Sequence, residues 1–374
     1  MSIASALLLA SCTSSRPKVP EPGAPPPVTA PTDYAGMIKA ARSYTEAGRP
    51  EQAEAVAKRA AARDPGRPEA YCIWGRSLAQ QKKLKESAEK YEMARQRGVT
   101  DRECFIELAS VYDVSGRYHE AVDVYRAYLK KSPDDTEMRQ ELGLTFLLLQ
   151  RFDEAVAELE KAVSTNPDDL QLQQDLGYAL VRGDWPAEAA KVLERVLARD
   201  PSAHQATLFL ARARAALGMP LEAMALVDQL ITGRKASEQA LRMRAHLRHL
   251  TDNAAGALDD YQWLLKAKPD DAAALLGAAG ALIALGRIDA ATKTVARAVE
   301  VLEKHPLIDF RQAQIAWRHG EAKALGALVK YARRNPTHVE AWREVRAAAK
   351  TSRDRKLEQE ATAKLRDLGD LEKK

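Results

Sequence analysis

Pro-Asp-Asp occurs three times, at residues 133–135, 167–169 and 269–271, and the three prolines lie 34 and 102 residues apart, one step and three steps of a single period. Stepping by 34 from Pro133 in both directions reaches Pro65, Val99, Pro167, Pro201, Lys235, Pro269 and Glu303, so five of the eight positions are proline. A fixed period of this length is the mark of a stack of repeated supersecondary units, each packed on its neighbours. Paired carboxylates could also bind a metal or transfer protons. Their recurrence with the unit makes them punctuation instead: proline stops one unit, and Asp135, Asp169 or Asp271 accepts free amide hydrogens at the start of the next helix.

With Tyr34 as position 1, units begin at Tyr34, Pro68, Arg102, Thr136, Leu170, His204, Glu238, Ala272 and Pro306. Position 8 is small in all nine, reading Ala41, Gly75, Ala109, Gly143, Gly177, Ala211, Ala245, Ala279 and Ala313. Position 20 reads Ala53, Ser87, Ala121, Ala155, Ala189, Ala223, Ala257, Ala291 and then Leu325. A one-residue deletion in the ninth unit puts Ala324 there and explains why Pro336 is off by one. Pro68 and Pro306 fall at position 1, and Pro50, Pro186 and Pro220 at position 17, the expected first turns of two helices. Gly48, Gly116, Gly218, Gly286 and Gly320 share position 15, where a left-handed residue ends the first helix. Each unit is therefore predicted to be a helical hairpin, helix A then helix B.

FIELASVY (105–112), RQELGLTF (139–146) and QQDLGYAL (173–180) resemble helix A of the tetratricopeptide (TPR) repeat, and GRYHEAVDVYRAY (116–128) and RFDEAVAELEKA (151–162) resemble its helix B. The resemblance runs from residue 34 to about 337. It implies an all-α, right-handed α-solenoid of about nine hairpins over 34–338, then C-terminal capping helices and a charged tail over 339–374. Trp342 falls where a tenth helix A would place its aromatic, and beyond Ala349 the sequence turns strongly charged, as a cap facing water requires.

The first residues read MSIASALLLASC, and Leu9-Ala10-Ser11-Cys12 resembles the lipobox of bacterial lipoproteins. That resemblance implies a signal peptide over 1–11, cleavage before Cys12 and lipidation of Cys12. Thr13, where an Asp would signal inner-membrane retention, implies an outer-membrane lipoprotein facing the periplasm. Residues 17–32 hold seven prolines in sixteen, so 12–32 is expected to be a lipidated, extended tether. A soluble, cytoplasmic or periplasmic TPR adaptor or co-chaperone without an anchor is the alternative. No run of 18 apolar residues occurs, so no membrane-spanning helix is expected.

The 57 basic and 52 acidic residues are interspersed, which does not suggest a nucleic-acid binder. No HExxH, GxSxG, phosphate loop or dinucleotide fingerprint is present, so neither an enzyme nor a cofactor nor a small-molecule substrate is expected. His246 and His249 have weak metal spacing and no further ligand in sight. Cys72 and Cys104 lie 32 residues apart rather than 34, so their side chains are expected to point differently and stay as covered free thiols, with a disulfide as the alternative.

Function is then expected on the helix-A groove, where the family resemblance turns positions 2, 5, 9, 12 and 13 toward a protein partner, an extended peptide or helix. The candidates are Arg76, Ser110, Leu144, Tyr178, Arg212 and His246 at position 9, with Glu103, Glu107, Asp113, Glu137, Glu141, Leu148 and Arg242 beside them. The groove is expected to be acidic in units 3 and 4, apolar around Leu144, Leu148 and Tyr178, and basic from Arg212 onward. Together with the anchor, this architecture resembles TPR lipoproteins that assist type IV pilus secretin assembly, other envelope machines or gliding complexes. Arg214, Arg244 and Arg248 break the pattern at positions that normally face the core. Since Leu241, Met243, Leu247 and Leu250 offer another apolar face, a rotated helix A is expected in unit 7; a distorted solenoid or an anionic partner is the alternative.

Overall fold

The computed structural model describes residues 32–231 and 237–370; Cys12 and the stretch before residue 32 lie outside the described residues. The described residues form twenty α-helices and no strands, an α-solenoid in two compact units, residues 1–183 and 184–374.

The first unit holds α1 (Tyr34–Glu46), α2 (Pro50–Arg63), α3 (Pro68–Gln80), α4 (Leu84–Gln96), α5 (Arg102–Val114), α6 (Tyr118–Leu129), α7 (Thr136–Leu148), α8 (Phe152–Thr165) and α9 (Leu170–Arg182). The second holds α10 (Pro186–Arg199), α11 (His204–Ala216), α12 (Pro220–Gln229), α13 (Glu238–Leu250), α14 (Ala254–Ala267) and α15 (Ala272–Ala284). It continues with α16 (Ile288–Val301), α17 (Pro306–Arg318), α18 (Ala324–Arg334), α19 (Val339–Ser352) and α20 (Arg355–Asp367). The nine A helices begin at the nine residues that open the 34-residue frame, and α19 begins one residue early, as the deletion in the ninth unit requires.

Three local causes set this pattern. The first is capping. Asp135 Oδ1 accepts from the Met138 amide at 3.1 Å, Asp169 Oδ1 from Gln171 and Leu172, and Asp271 Oδ1 from Ala274, so the Pro-Asp-Asp motifs start helices. The second is the turn. Position 15 is left-handed in every hairpin: five glycines, and also Lys82 (φ 61°), Gln150 (φ 58°), Asp184 (φ 69°), Asp252 (φ 59°) and Arg353 (φ 59°). The amide that follows reaches back five residues, as in Arg117 to the Tyr112 carbonyl (2.8 Å) and Asp354 to Ala349 (2.9 Å), which closes helix A. The third is close approach. Position 20 has no solvent exposure from Ala53 through Ala291, and at position 8 a Cβ on Gly75 would sit 2.9 Å from the Tyr91 ring, one on Gly143 2.7 Å from Leu159 Cγ. In the second hairpin Ser87 Oγ donates to the Gly75 carbonyl at 2.7 Å, so even the polar exception at position 20 is satisfied.

Two expectations are corrected here. Cys72 and Cys104 form a disulfide between α3 and α5, with Cα atoms 5.7 Å apart. They hold positions 5 and 3 of neighbouring A helices. A two-residue offset is about 200° around a helix, so the cysteines lie on nearly opposite faces, and opposite faces are what adjacent stacked helices present to each other. The spacing of 32, read as an obstacle, is what the stack needs.

Helix α13 is not rotated either. Ala240, Leu241, Ala245 and Leu247 remain its buried residues, and Ala245 keeps position 8 with no exposure. Arg244 and Arg248 stay over the hairpin interior because Asp260, 4% exposed on α14, lies beneath them. Arg244 donates to both its oxygens at 3.0 and 2.7 Å, and Arg248 to Oδ2 at 2.8 Å. The anion is internal. Arg214 is likewise paired, to Glu194 and, at 3.4 Å, to Glu222.

Candidate functional site

In the first unit, the A helices α3, α5, α7 and α9 carry the predicted residues up to Tyr178. Arg76 on α3 is already engaged. It holds Glu103 at 2.8 Å and Glu107 at 2.5 Å, and Tyr91 Oη donates to Glu107 at 2.8 Å. Arg102 bridges Asp135 and Glu137, each at 2.6 Å, so a helix-capping aspartate also ties its helix to the preceding A helix. Ser110, Leu144 and Leu148 are half-buried, and Tyr178 Oη accepts from Arg182 at 2.8 Å.

Three carboxylates behave differently. Asp113 on α5 is 5% exposed, and its donors are neutral hydroxyls: Tyr125 at 3.2 Å and Thr145 at 3.4 Å. Burial pushes its pKa to about 7, which these hydrogen bonds only partly offset. Glu141 on α7 is also pushed to about 7, first by burial and then by the charges of Asp113, Glu137 and Asp175. Asp175 on α9 is 6% exposed and reaches about 6 through burial, although Gln140 (2.6 Å) and Gln171 (2.9 Å) donate to it. Among the described residues no cation pairs with any of the three. Sequence reasoning missed Asp175, yet Glu107, Glu141 and Asp175 all hold position 6, so the 34-residue ruler applied there would have found it.

In the second unit the outcome is the reverse. Arg242 is committed to Asp271 and, at 2.7 Å, to Glu238. Position 9 is closed at two places. Gln314 is 2% exposed, and Gly280 lies under Arg311, whose Nη2 would be 2.3 Å from a Cβ there. Arg311 itself is 4% exposed and is held by the Glu340 carboxylate, the Leu276 carbonyl (3.1 Å) and Gln314 (2.7 Å). Burial opposes the charge on Glu340, but Arg311 and His249, 3.3 Å away, outweigh it and hold its pKa well below the usual range. Arg343 on α19 donates to the Leu250 carbonyl at 3.2 Å and to Asp252 at 3.3 Å, ties across 93 and 91 residues to the end of α13. Arg212 and His246 remain exposed. The surroundings of His246 are nevertheless crowded, and that crowding lowers its pKa, with His249, His338 and Arg212 adding to the effect. The expected basic groove from Arg212 onward is thus mostly spent on internal pairs.

Among the described residues no group of His, Cys, Asp and Glu could hold a metal, and no helix is long and apolar enough to cross a membrane.

Tetratricopeptide repeat models match residues 38–99, 106–169, 175–240 and 251–312. No curated protein matches the chain. A TPR protein from Parabacteroides merdae is 17% identical with a TM-score of 0.51, covering 67% of this chain and 98% of its own. The C-terminal part of a TPR protein from Cytophaga hutchinsonii is 18% identical with a TM-score of 0.51, covering 64% and 98%. PilW, a type IV pilus biogenesis factor, is 21% identical with a TM-score of 0.50, covering 55% and 96%. With its repeat frame, its capped hairpins and these matches, the chain belongs to the tetratricopeptide repeat family, whose folds are scaffolds for protein–protein interaction.

Proposed function

We propose that this TPR scaffold is lipid-anchored through Cys12 and works in the periplasm, where it assists an envelope complex of the type IV pilus/secretin, secretion or gliding class. The helix-A face of its first unit takes an extended partner segment that brings Lys or Arg to Asp113, Glu141 and Asp175. The observation that carries this reading is the row of three carboxylates, Asp113 and Asp175 buried and Glu141 half-buried, with no cation beside them among the described residues. A guanidinium or ammonium from outside would give them the partner that Arg76 gives Glu107. Leu144 and Leu148, half-buried, offer apolar contact alongside.

Cysteine usage supports the compartment. The chain has three cysteines, two of which form the disulfide that an oxidising compartment favours, and Cys12 is the one left over.

Photocrosslinking in intact cells from a probe at Leu144 tests the groove. A captured protein is expected, and the double substitution Asp113→Asn, Glu141→Gln should abolish capture; unchanged capture sinks the acidic-row reading. Separately, Cys12→Ala should move the chain out of the membrane fraction, and retention there would remove the anchor.

A further inference from the structure

The last hairpins carry a second surface that the reading above does not use. Residues 321–374 hold 14 Lys and Arg against 9 Asp and Glu, a surplus of 5 that equals the surplus of the whole chain. The first 320 residues are therefore neutral overall, and the positive charge is concentrated at one end. Part of it rims a groove of about 910 Å³ between the B helices α18 and α20. Leu325, Val329 and Leu357 give it an apolar floor, and Gly326 leaves it open: a Cβ there would meet nothing within 4 Å.

The carboxylates on this groove are both committed. Glu360 is held by Arg333 at 2.9 and 2.7 Å, and Asp354 Oδ1 caps α20 by accepting from the Leu357 amide at 3.0 Å. Lys323, Lys330, Arg334 and Lys356 are exposed, and no carboxylate among the described residues pairs with them. Four free cations around an apolar trough repel one another, and an anionic apolar occupant would relieve that repulsion.

We infer that the α18–α20 groove is a docking site for an acidic amphipathic segment of a protein partner, leucine-like residues down and carboxylates toward Lys323, Lys330, Arg334 and Lys356. A trough between two helices fits a helix laid into it. A flat bilayer would reach the rim but leave the floor uncovered.

The test uses the full chain and a fluorescein-labelled peptide of glutamate and leucine in helical register. A lysine-and-leucine peptide and phosphatidylglycerol vesicles serve as comparisons. Anisotropy should show salt-sensitive binding of the acidic peptide alone, weakened about tenfold or more by Lys330→Glu with Arg334→Glu. Gly326→Trp, which fills the trough without changing charge, should weaken it as well. Absence of binding, equal binding of the basic peptide, or binding unaffected by Gly326→Trp overturns the inference. Vesicle binding without peptide binding also overturns it and assigns the cations to a membrane.

Discussion

Among the described residues, the first unit leaves three carboxylates on its helix-A face without a cation, and the second encloses Arg242, Arg244 and Arg311 in ion pairs. The same repeat position makes the contrast plain. Position 6 is Glu141 and Asp175 in repeats 4 and 5, raised to about 7 and 6 with no cation beside them among the described residues. In repeat 9 it is Arg311, enclosed by Glu340 and Gln314. One backbone pattern can thus present an open charged row or a closed network. The choice is made by whether the adjacent A helix supplies the counterion. The two units also differ in one covalent tie: the first has a disulfide between α3 and α5 beside ion pairs such as Arg102–Asp135, while the second is tied by ion pairs such as Arg244–Asp260.

That difference predicts where each can be broken. Removing the disulfide by Cys72→Ser with Cys104→Ser should have the largest effect. A closed loop of 32 residues corresponds to about 3–4 kcal/mol in the chain-entropy model, and hydrogen exchange should quicken in α3 and α5 while α13–α15 are unchanged. Next, Asp260→Ala leaves Arg244 and Arg248 over the hairpin without an anion. Breaking a buried pair costs about 3–5 kcal/mol; these arginines keep some water, so about 2–3 is expected by denaturant titration. Exchange should rise in α13 and α14, sparing the first unit.

The acidic row predicts a pH effect confined to the first unit. Asp113, Glu141 and Asp175 have folded pKa values above their unfolded ones. They bind more protons when folded, so the stability they contribute is full below about pH 4 and is lost as pH rises through about 6–7. Asp113→Asn should remove part of that dependence, read as a smaller fall in melting temperature between about pH 5 and pH 8. A cationic peptide should bind better as pH rises through the same window and release protons on binding, and an affinity independent of pH would contradict the proposed groove. The smallest effect is local. Gln150 sits at φ 58° in a turn where five sister repeats use glycine, so Gln150→Gly should stabilise by about 1 kcal/mol or less.

Most of the fold was legible because its determinants recur within each hairpin. Proline at 32, glycine at 15, small residues at 8 and 20 and aspartate before helix A act over a few residues, and a period of 34 repeats them until chance is excluded. Half of the turn residues are not glycine, so the signal was weaker at Lys82, Gln150, Asp184, Asp252 and Arg353, yet the frame carried the turn through. The candidate site was legible as a face but not as a state. Glu107, Glu141 and Asp113 were found by position, while the pairing of Arg76 and the closure around Arg311 were not.

The sequence by itself determined the repeat frame, the capped helices and the turns that close each hairpin. These follow from backbone chemistry within a single unit. Only the tertiary structure decided that Cys72 meets Cys104, that Asp260 lies under Arg244 and Arg248, and that Arg343 reaches Leu250 across 93 residues. Such contacts depend on how helices face one another in a hairpin and from one hairpin to the next. That angle is set by the whole packed interface rather than by any residue, so it leaves no period to read.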